Sequence, residues 1–585
     1  MKPYIWILLF FLAFGHSYAS YSQNKPQHLR LKIIQTTDVH GAIFPYDFIK
    51  DEQTKYSLAS VSTFVQIERA KKDEHTILLD NGDILQGQPV VYYSNFIDTS
   101  KTHVCAAVMN YMKYDAASVG NHDIETGHAV YDKVNKEFEF PWLAANAIKD
   151  RTETPYFKPY TIIEKEGIRI AVLGLITPAI PNWLPENIWS GMHFADMIES
   201  AKKWVGILKE KEKADLIIGL FHAGVDYTYN NQTEKTNLNE NASKLVAELV
   251  PGFDVVFAGH DHREYNLIIS GSDSSNILLL DPGSHAKKVA VAEIDLDWNI
   301  AKNKYDKEIK GKIVEMNNYQ PDTVFVNKFE DYFINTKNYV DRVIGQSKRT
   351  FNARESVFGN SAFVDFIHEV QFKLTKAQIS LTSPLSYNFE IKKGAISVRD
   401  MFKLYRFENF LYTMNLSGKE IKDYLEYSAD LWFNQMNTQE DHLLKYTIDE
   451  KGKMSFINPY YNYSSAAGIK YTVDVSKPNG QKINIISFEN GQAFEMDKIY
   501  SVAINSYRGN GGGGHLTNGA GIPKAELDKR IINSTDKDLR FYIIKYIEEK
   551  QYIDPAKRNN WEVIPSNWWK IAKKKEYKLL FPEIK

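Results

Sequence analysis

Cysteine is almost missing from this chain. Cys105 is the only one, so no internal disulfide can form and the core alone must hold the fold. Net charge is nearly absent too. The 71 lysines and arginines against 73 aspartates and glutamates leave −2, which gives no electrostatic reason to expect a nucleic acid polymer or an anionic membrane surface as partner. Past the N-terminus no run is apolar enough to span a bilayer. Internal repeats and extended low-complexity tracts are also missing, so 585 residues of ordinary globular composition are to be divided among more than one domain.

What is present begins with a targeting pattern. Lys2 supplies a positive start, "YIWILLFFLAF" an apolar stretch, and "SYA", Ser17 to Ala19, small residues for a cut. We read residues 1–19 as a signal peptide and expect an exported protein, periplasmic or secreted, with no membrane span after cleavage. No cysteine follows the apolar stretch, which excludes lipid attachment through one. A large exported chain without disulfides fits a bacterial periplasm.

The first half then alternates short apolar runs with amphipathic ones. "LKIIQTTD", "TILLDNGD", "DAASVGNHD", "IRIAVLGLIT", "ADLIIGLFHAG" and "DVVFAGHDH" each read as a buried strand ending in polar residues. "SLASVSTFVQIERAKKD" and "MIESAKKWVGILKEKEK" read as helices between them, which predicts a layered α/β domain over residues 28–320. Aromatic and apolar residues at helical spacing predict a connecting helix over 321–343. A second, α+β domain is expected over 344–555, followed by a tail, 556–585, rich in tryptophan and lysine and packed on the second domain's surface.

The polar residues at the strand ends are Asp38 and His40 in "TTDVHG", Asp83 in "DNGD", Asn121 and His122 in "GNHD", His222 in "FHAG", and His260 and His262 in "GHDH". Any one of them alone reads as an ordinary loop or core residue. Five clusters at strand ends of one α/β domain read differently, because open α/β sheets place ligands outside the carboxyl ends of their strands. The donors are oxygen and nitrogen without thiolate, a set suited to divalent Mn, Zn, Fe, Co or Ni. An aspartate between two such groups can bridge two cations, as in phosphatases and nucleases.

The ordered set D-x-H, G-D, G-N-H-D/E, H-x-G and G-H-x-H, spanning Lys32 to His262, resembles the calcineurin-like metallophosphoesterases. The resemblance implies a four-layer β-sandwich flanked by helices, joined by a helix to a substrate-binding domain, and two divalent metal ions. It implies that Asp38, His40 and His262 hold the first metal, that Asn121, His222 and His260 hold the second, and that Asp83 bridges them. His122 is implied to be catalytic rather than a ligand. It would assist the leaving oxygen while a hydroxide bridging the metals attacks phosphorus. Exported nucleotidases pair this histidine with an aspartate three residues on; here Glu125 holds that place, so the dyad is carried over as His122–Glu125. Asp123 is expected to be structural.

The second half resembles the substrate domain of exported nucleotidases. The 5'-nucleotidase branch carries N-x-G-G-I-R and a late glycine motif with an aspartate. This chain has "ISLTSPLSYN" and "NSYRGNGGGGHL" there, lacking the arginine and the acid. "TSPLSYN", "KLYRFEN" and "NSYRGNGGGGH" lie nearer the bifunctional 2',3'-cyclic-nucleotide 2'-phosphodiesterase/3'-nucleotidases. In that branch two aromatics sandwich the base, at the places of Phe407 and Tyr507, although in a chain with 13% aromatic residues both also suit a core. Gly511 to Gly514 read as a flexible loop or as a close approach to ribose or base. A nucleotide or cyclic nucleotide is the expected substrate. Two alternatives stand beside this reading, a 5'-nucleotidase or nucleotide-sugar hydrolase, and a non-catalytic nucleotide-binding surface protein. The second predicts decayed ligands, yet all seven metal positions and His122 hold competent residues.

Overall fold

Short, nearly unbroken apolar runs build the first domain. The computed structural model describes residues 26–450 and 454–582; the expected signal peptide lies outside the described residues. One six-stranded sheet contains β1 (His28–Thr36), β2 (His75–Asp80), β3 (Ala116–Ser118) and β4 (Trp142–Leu143). The other contains β5 (Tyr160–Lys165), β6 (Ile168–Ile176), β7 (Leu216–His222), β8 (Val255–Phe257), β9 (Glu264–Ser270) and β10 (Asn276–Pro282). β11 (Lys288–Asn299) and β12 (Lys304–Glu315) return to the first sheet, giving the orders β12-β11-β1-β2-β3-β4 and β9-β10-β8-β7-β6-β5. Strands β1 to β4 are mutually parallel, as are β6, β7, β8 and β10.

Side chains two apart share a face. Leu31, Ile33, Ile77 and Leu79 of one sheet meet Ile170, Val172, Ile218, Leu220, Val255 and Phe257 of the other in a core between the sheets. The intervening residues pack outward. Ile34 and Leu78 join Phe64 and Val65 of the helix Leu58–Arg69. Leu173, Ile217 and Val256 join Ala201, Val205 and Leu208 of the helix Met197–Glu210. The order helix, sheet, sheet, helix gives four layers, the architecture expected for the first domain. Parallel strands covered on both faces read as unbroken apolar runs, which is why they were visible in the sequence.

The connection is not one helix. It breaks at Phe329 into Thr323–Lys328 and Glu330–Asp341, and a strand begins at Val343. Phe325, Phe329 and Val340 belong to an apolar cluster that runs from Phe48 and Tyr92 of the first half to Phe402 and Leu539 of the second. The second domain centres on a five-stranded sheet with Leu411–Ser417 and Ile499–Asn505 at its middle. The tail is no surface appendage. Trp561–Ile564 adds a strand in parallel to Tyr471–Asp474, and Glu576 on the last helix accepts the backbone N–H groups of Leu443 and Leu444 at 2.7 and 3.2 Å.

Candidate metal centre

Because the strands of each parallel set point the same way, their C-terminal ends meet at one edge of the sandwich, and the loops leaving β1, β2, β3, β7 and β8 carry the clustered residues. These loops are tightly wound. Asp38, His40, Asp83, His260 and His262 all have left-handed backbone, with φ between 48° and 78°. Non-glycine residues seldom adopt it, at a cost of about 1–3 kcal/mol each where it is strained, and it persists where surrounding bonds fix it. Here Asp38 N–H donates to Gly82 O at 2.9 Å and His40 N–H to Asp83 O at 3.0 Å, locking the first loop to the second.

Two groups of donors result. Ligand atoms of Asp38, His40 and His262 lie within 4.8 Å of one another, and so do those of Asp83, His222 and His260. Asn121 Oδ1 belongs with the second, 3.1 Å from His222 Nε2 and 2.8 Å from His260 Nδ1. Asp83 Oδ2 lies 3.3 Å from His222 Nε2, and its Oδ1 accepts His122 N–H at 2.8 Å. Two of the imidazoles are aimed from behind. His40 Nδ1 is 3.1 Å from Gln86 O, and His222 Nδ1 is 2.6 Å from Asn81 O. Such bonds set the tautomer and leave Nε2 as the ligand atom.

The donors fit divalent cations. Asp38 Oδ1 is fully buried without a hydrogen-bond partner, 3.2 Å from His262 Nε2, while His40 Nε2 and His262 Nε2 face each other at 3.0 Å. A buried lone pair is costly when nothing answers it, and here the three atoms converge as ligands do. Burial, aided by the charge of His262, lowers His40 to about 3, keeping it a neutral donor. Burial opposes ionisation of Asp83, but His222 and His122 hold its carboxyl well below the usual range.

His122 stands beside these groups with its ring 5.5 Å from that of His40, and its Nδ1 is hydrogen-bonded to Glu125. Burial disfavours its charge, yet Asp83 and then Glu125 raise it to about 10. Asp123 does other work. Its carboxylate accepts N–H groups of Asp83, Ile84, Leu85 and Gly120 at 2.7–3.0 Å, tying the β2 loop to the β3 loop.

Several contributors were not singled out in the sequence. Asn81 donates to Phe221 O at 2.8 Å, accepts Ser118 Oγ–H at 2.6 Å and receives His222 through its carbonyl, joining three strand ends. Glu240 Oε1 lies 3.4 Å from His260 Nε2, and the Trp183 ring stacks on His260 at 5.6 Å. The "DNG" context around Asn81 was the one available signal; Glu240 and Trp183 come from loops with none.

Phe407 and Tyr507 lie in the second domain and are half-buried. Phe407 packs edge-on against Tyr461 at 5.9 Å, and the guanidinium of Arg508 lies 5.3 Å from the Tyr507 ring. Arg508 turns inward to Gly512 O at 2.9 Å and Tyr461 O at 2.6 Å. The glycine run answers first to the protein's own packing. Gly511, Gly513 and Gly514 have φ of 98°, 69° and 74°, and a Cβ on Gly512 would sit 2.6 Å from the Tyr507 ring.

Residues 31–264 match the calcineurin-like phosphoesterase family and residues 343–518 the 5'-nucleotidase C-terminal domain. The chain is 28% identical to a trifunctional nucleotide phosphoesterase of Bacillus subtilis over 92% of its length, and spans 39% of that protein. It is 25% identical to the 2',3'-cyclic-nucleotide 2'-phosphodiesterase/3'-nucleotidase of Salmonella typhimurium, covering 92% of this chain and 89% of that one. Among solved structures it resembles the 5'-nucleotidase precursor of Thermus thermophilus, with a TM-score of 0.61 at 21% identity over 92% and 100% of the two chains. Fold, site and relatives together define a metal-dependent phosphoester hydrolase. The chain belongs to the calcineurin-like phosphoesterases that carry a 5'-nucleotidase C-terminal domain.

Proposed function

We propose that this protein hydrolyses 2',3'-cyclic nucleotides at the 2' bond and then 3'-nucleotides, at a centre of two divalent cations. The observation that carries the reading is the convergence of two donor groups, Asp38–His40–His262 and Asp83–His222–His260, beside an imidazole that belongs to neither. Asn121 would complete the second group, and Asp83 would be the carboxylate shared between the two. Bound there, divalent cations supply Lewis acidity to phosphoryl oxygens and lower the pKa of water. The chain's own residues do the rest. Glu125 fixes His122 through Nδ1, which leaves Nε2–H to protonate the departing ribose oxygen. Phe407 and Tyr507 hold the base, and stacking accepts any base because each has a π-face.

The cyclic and 3' preference is supported by the second domain's departures from the 5'-nucleotidase pattern and by the Salmonella relative. The test is a panel of 2',3'-cyclic, 3'- and 5'-nucleotides assayed with added Mn. Turnover of cyclic and 3' substrates at least tenfold above 5' is expected; the reverse order would make it a 5'-nucleotidase, and no turnover of any would defeat the enzymatic reading. Lys2 and the apolar stretch after it support export, to be checked by N-terminal sequencing of the mature protein.

A further inference from the structure

A fourth imidazole borders the first donor group without belonging to it. His285 follows β10, the parallel neighbour of β8, and so emerges at the same sheet edge as the five clusters. Its ring centroid lies 5.4 Å from His40 and 6.0 Å from His262. The turn that carries it is built at a cost. His285 and Ala286 are consecutive non-glycine residues at φ 64° and 51°, held by His285 N–H donating to Asp38 O at 2.8 Å and by Gly283 N–H donating to Asp281 Oδ1 at 2.8 Å. Ser284 Oγ sits 2.7 Å from His285 Nδ1, which fixes the ring, and among the described residues no hydrogen bond engages Nε2. His40 therefore has two imidazole neighbours outside the metal groups, His122 at 5.5 Å and His285 at 5.4 Å.

We infer that His285 is a substrate-binding residue: with Ser284 Oγ–H donating to Nδ1, its Nε2–H donates to a non-bridging phosphoryl oxygen at the Asp38–His40–His262 group. This rests on the proposed phosphoesterase centre. The two imidazoles divide the phosphoryl group, His122 serving the oxygen that leaves and His285 an oxygen that stays. A bond to an oxygen that stays is made before and during reaction alike, so it governs affinity more than turnover.

The test uses the full-length protein loaded with Mn. Calorimetric titration with inorganic phosphate gives an affinity that needs no turnover, and kinetics on a cyclic nucleotide give KM and kcat separately. His285→Asn suits the left-handed backbone and keeps an amide near the Nδ1 position, but has no donor at the Nε2 position. It is expected to weaken phosphate binding and raise KM roughly tenfold or more, with kcat within about threefold and both metal equivalents retained. His285→Gln, whose longer arm returns a donor toward the Nε2 position, should recover most of the loss. Should His285→Asn fail to fold, Ser284→Ala releases the ring and should show a smaller rise in KM. Unchanged phosphate affinity in a folded variant, or loss of metal in step with loss of affinity, would overturn the assignment. Mn-loaded wild type that binds phosphate but turns over no nucleotide would instead refute the proposed substrate while leaving His285 open to the binding test.

Discussion

Two carboxylates in one short loop predict opposite phenotypes. Glu125 is hydrogen-bonded to His122 Nδ1, so Glu125→Ala should keep the bound metal and lower kcat, less severely than His122→Ala, whose loss should be roughly a hundredfold or more. Asp123 holds four backbone N–H groups between the loops that carry Asp83 and Asn121. Each buried donor left unpaired costs about 1–3 kcal/mol, so Asp123→Ala should lower the melting temperature and the bound metal together. Metal analysis beside kinetics separates the two; full metal in Asp123→Ala with a selective loss of kcat would move Asp123 into the catalytic role. The sequence made the donor chemistry legible because ligand residues keep their type and order along the chain. It concealed Asn81, Glu240 and His285, since their work depends on which distant carbonyl or ring they meet, and that is decided only by packing.

At the level of elements, the site is a set of loops wound into left-handed backbone by bonds from one strand end to the next. Five clustered donors share that conformation, and His40 Nε2 faces His262 Nε2 at 3.0 Å beside the unpartnered Asp38 Oδ1. Such loops gain stability from whatever satisfies the donors, by mass action of a ligand that binds only the folded state. Chelation should therefore lower the melting temperature by several degrees, and Mn should restore it with a dependence on concentration. A midpoint indifferent to chelator would mean that hydrogen bonds alone hold the loops. Strands were readable where both faces are apolar, in β6, β7 and β8. The break at Phe329 was not, because its apolar spacing continues through the kink. Nor was the tail's strand. Trp561–Ile564 pairs with residues about ninety positions earlier, and Trp561 stacks on Tyr471 at 5.5 Å and 10°. Removing residues 556–585 should consequently unfold the second domain, seen as a lost thermal transition, rather than trim a free end.

Across the whole molecule, the clustered donors lie on the first domain and the rings proposed to hold the base on the second, and one apolar cluster runs through both. The seam is polar as well as apolar: Tyr92 O–H donates to Asp538 at 3.1 Å, and Asn510 donates to the carbonyl of Trp183 at 3.1 Å, whose ring stacks on His260. The glycine loop next to Tyr507 is thereby tied to the loop that covers the metal centre. If Phe407 and Tyr507 clamp the base, Phe407→Ala and Tyr507→Ala should each cost roughly fivefold to a hundredfold in kcat/KM for a nucleotide, the range expected from about 1–3 kcal/mol of stacking. p-Nitrophenyl phosphate has no base to lose and should be hydrolysed as before. The double variant should fall short of additivity, because removing either ring already frees the base. Tyr461 supplies the control. It packs against Phe407 and its carbonyl accepts Arg508, so Tyr461→Phe, which leaves ring and backbone in place, should leave both substrates unaffected. Equal loss on both substrates in the Phe407 and Tyr507 variants, or loss of folded protein, would assign those rings to the core of the second domain and leave base recognition to other groups.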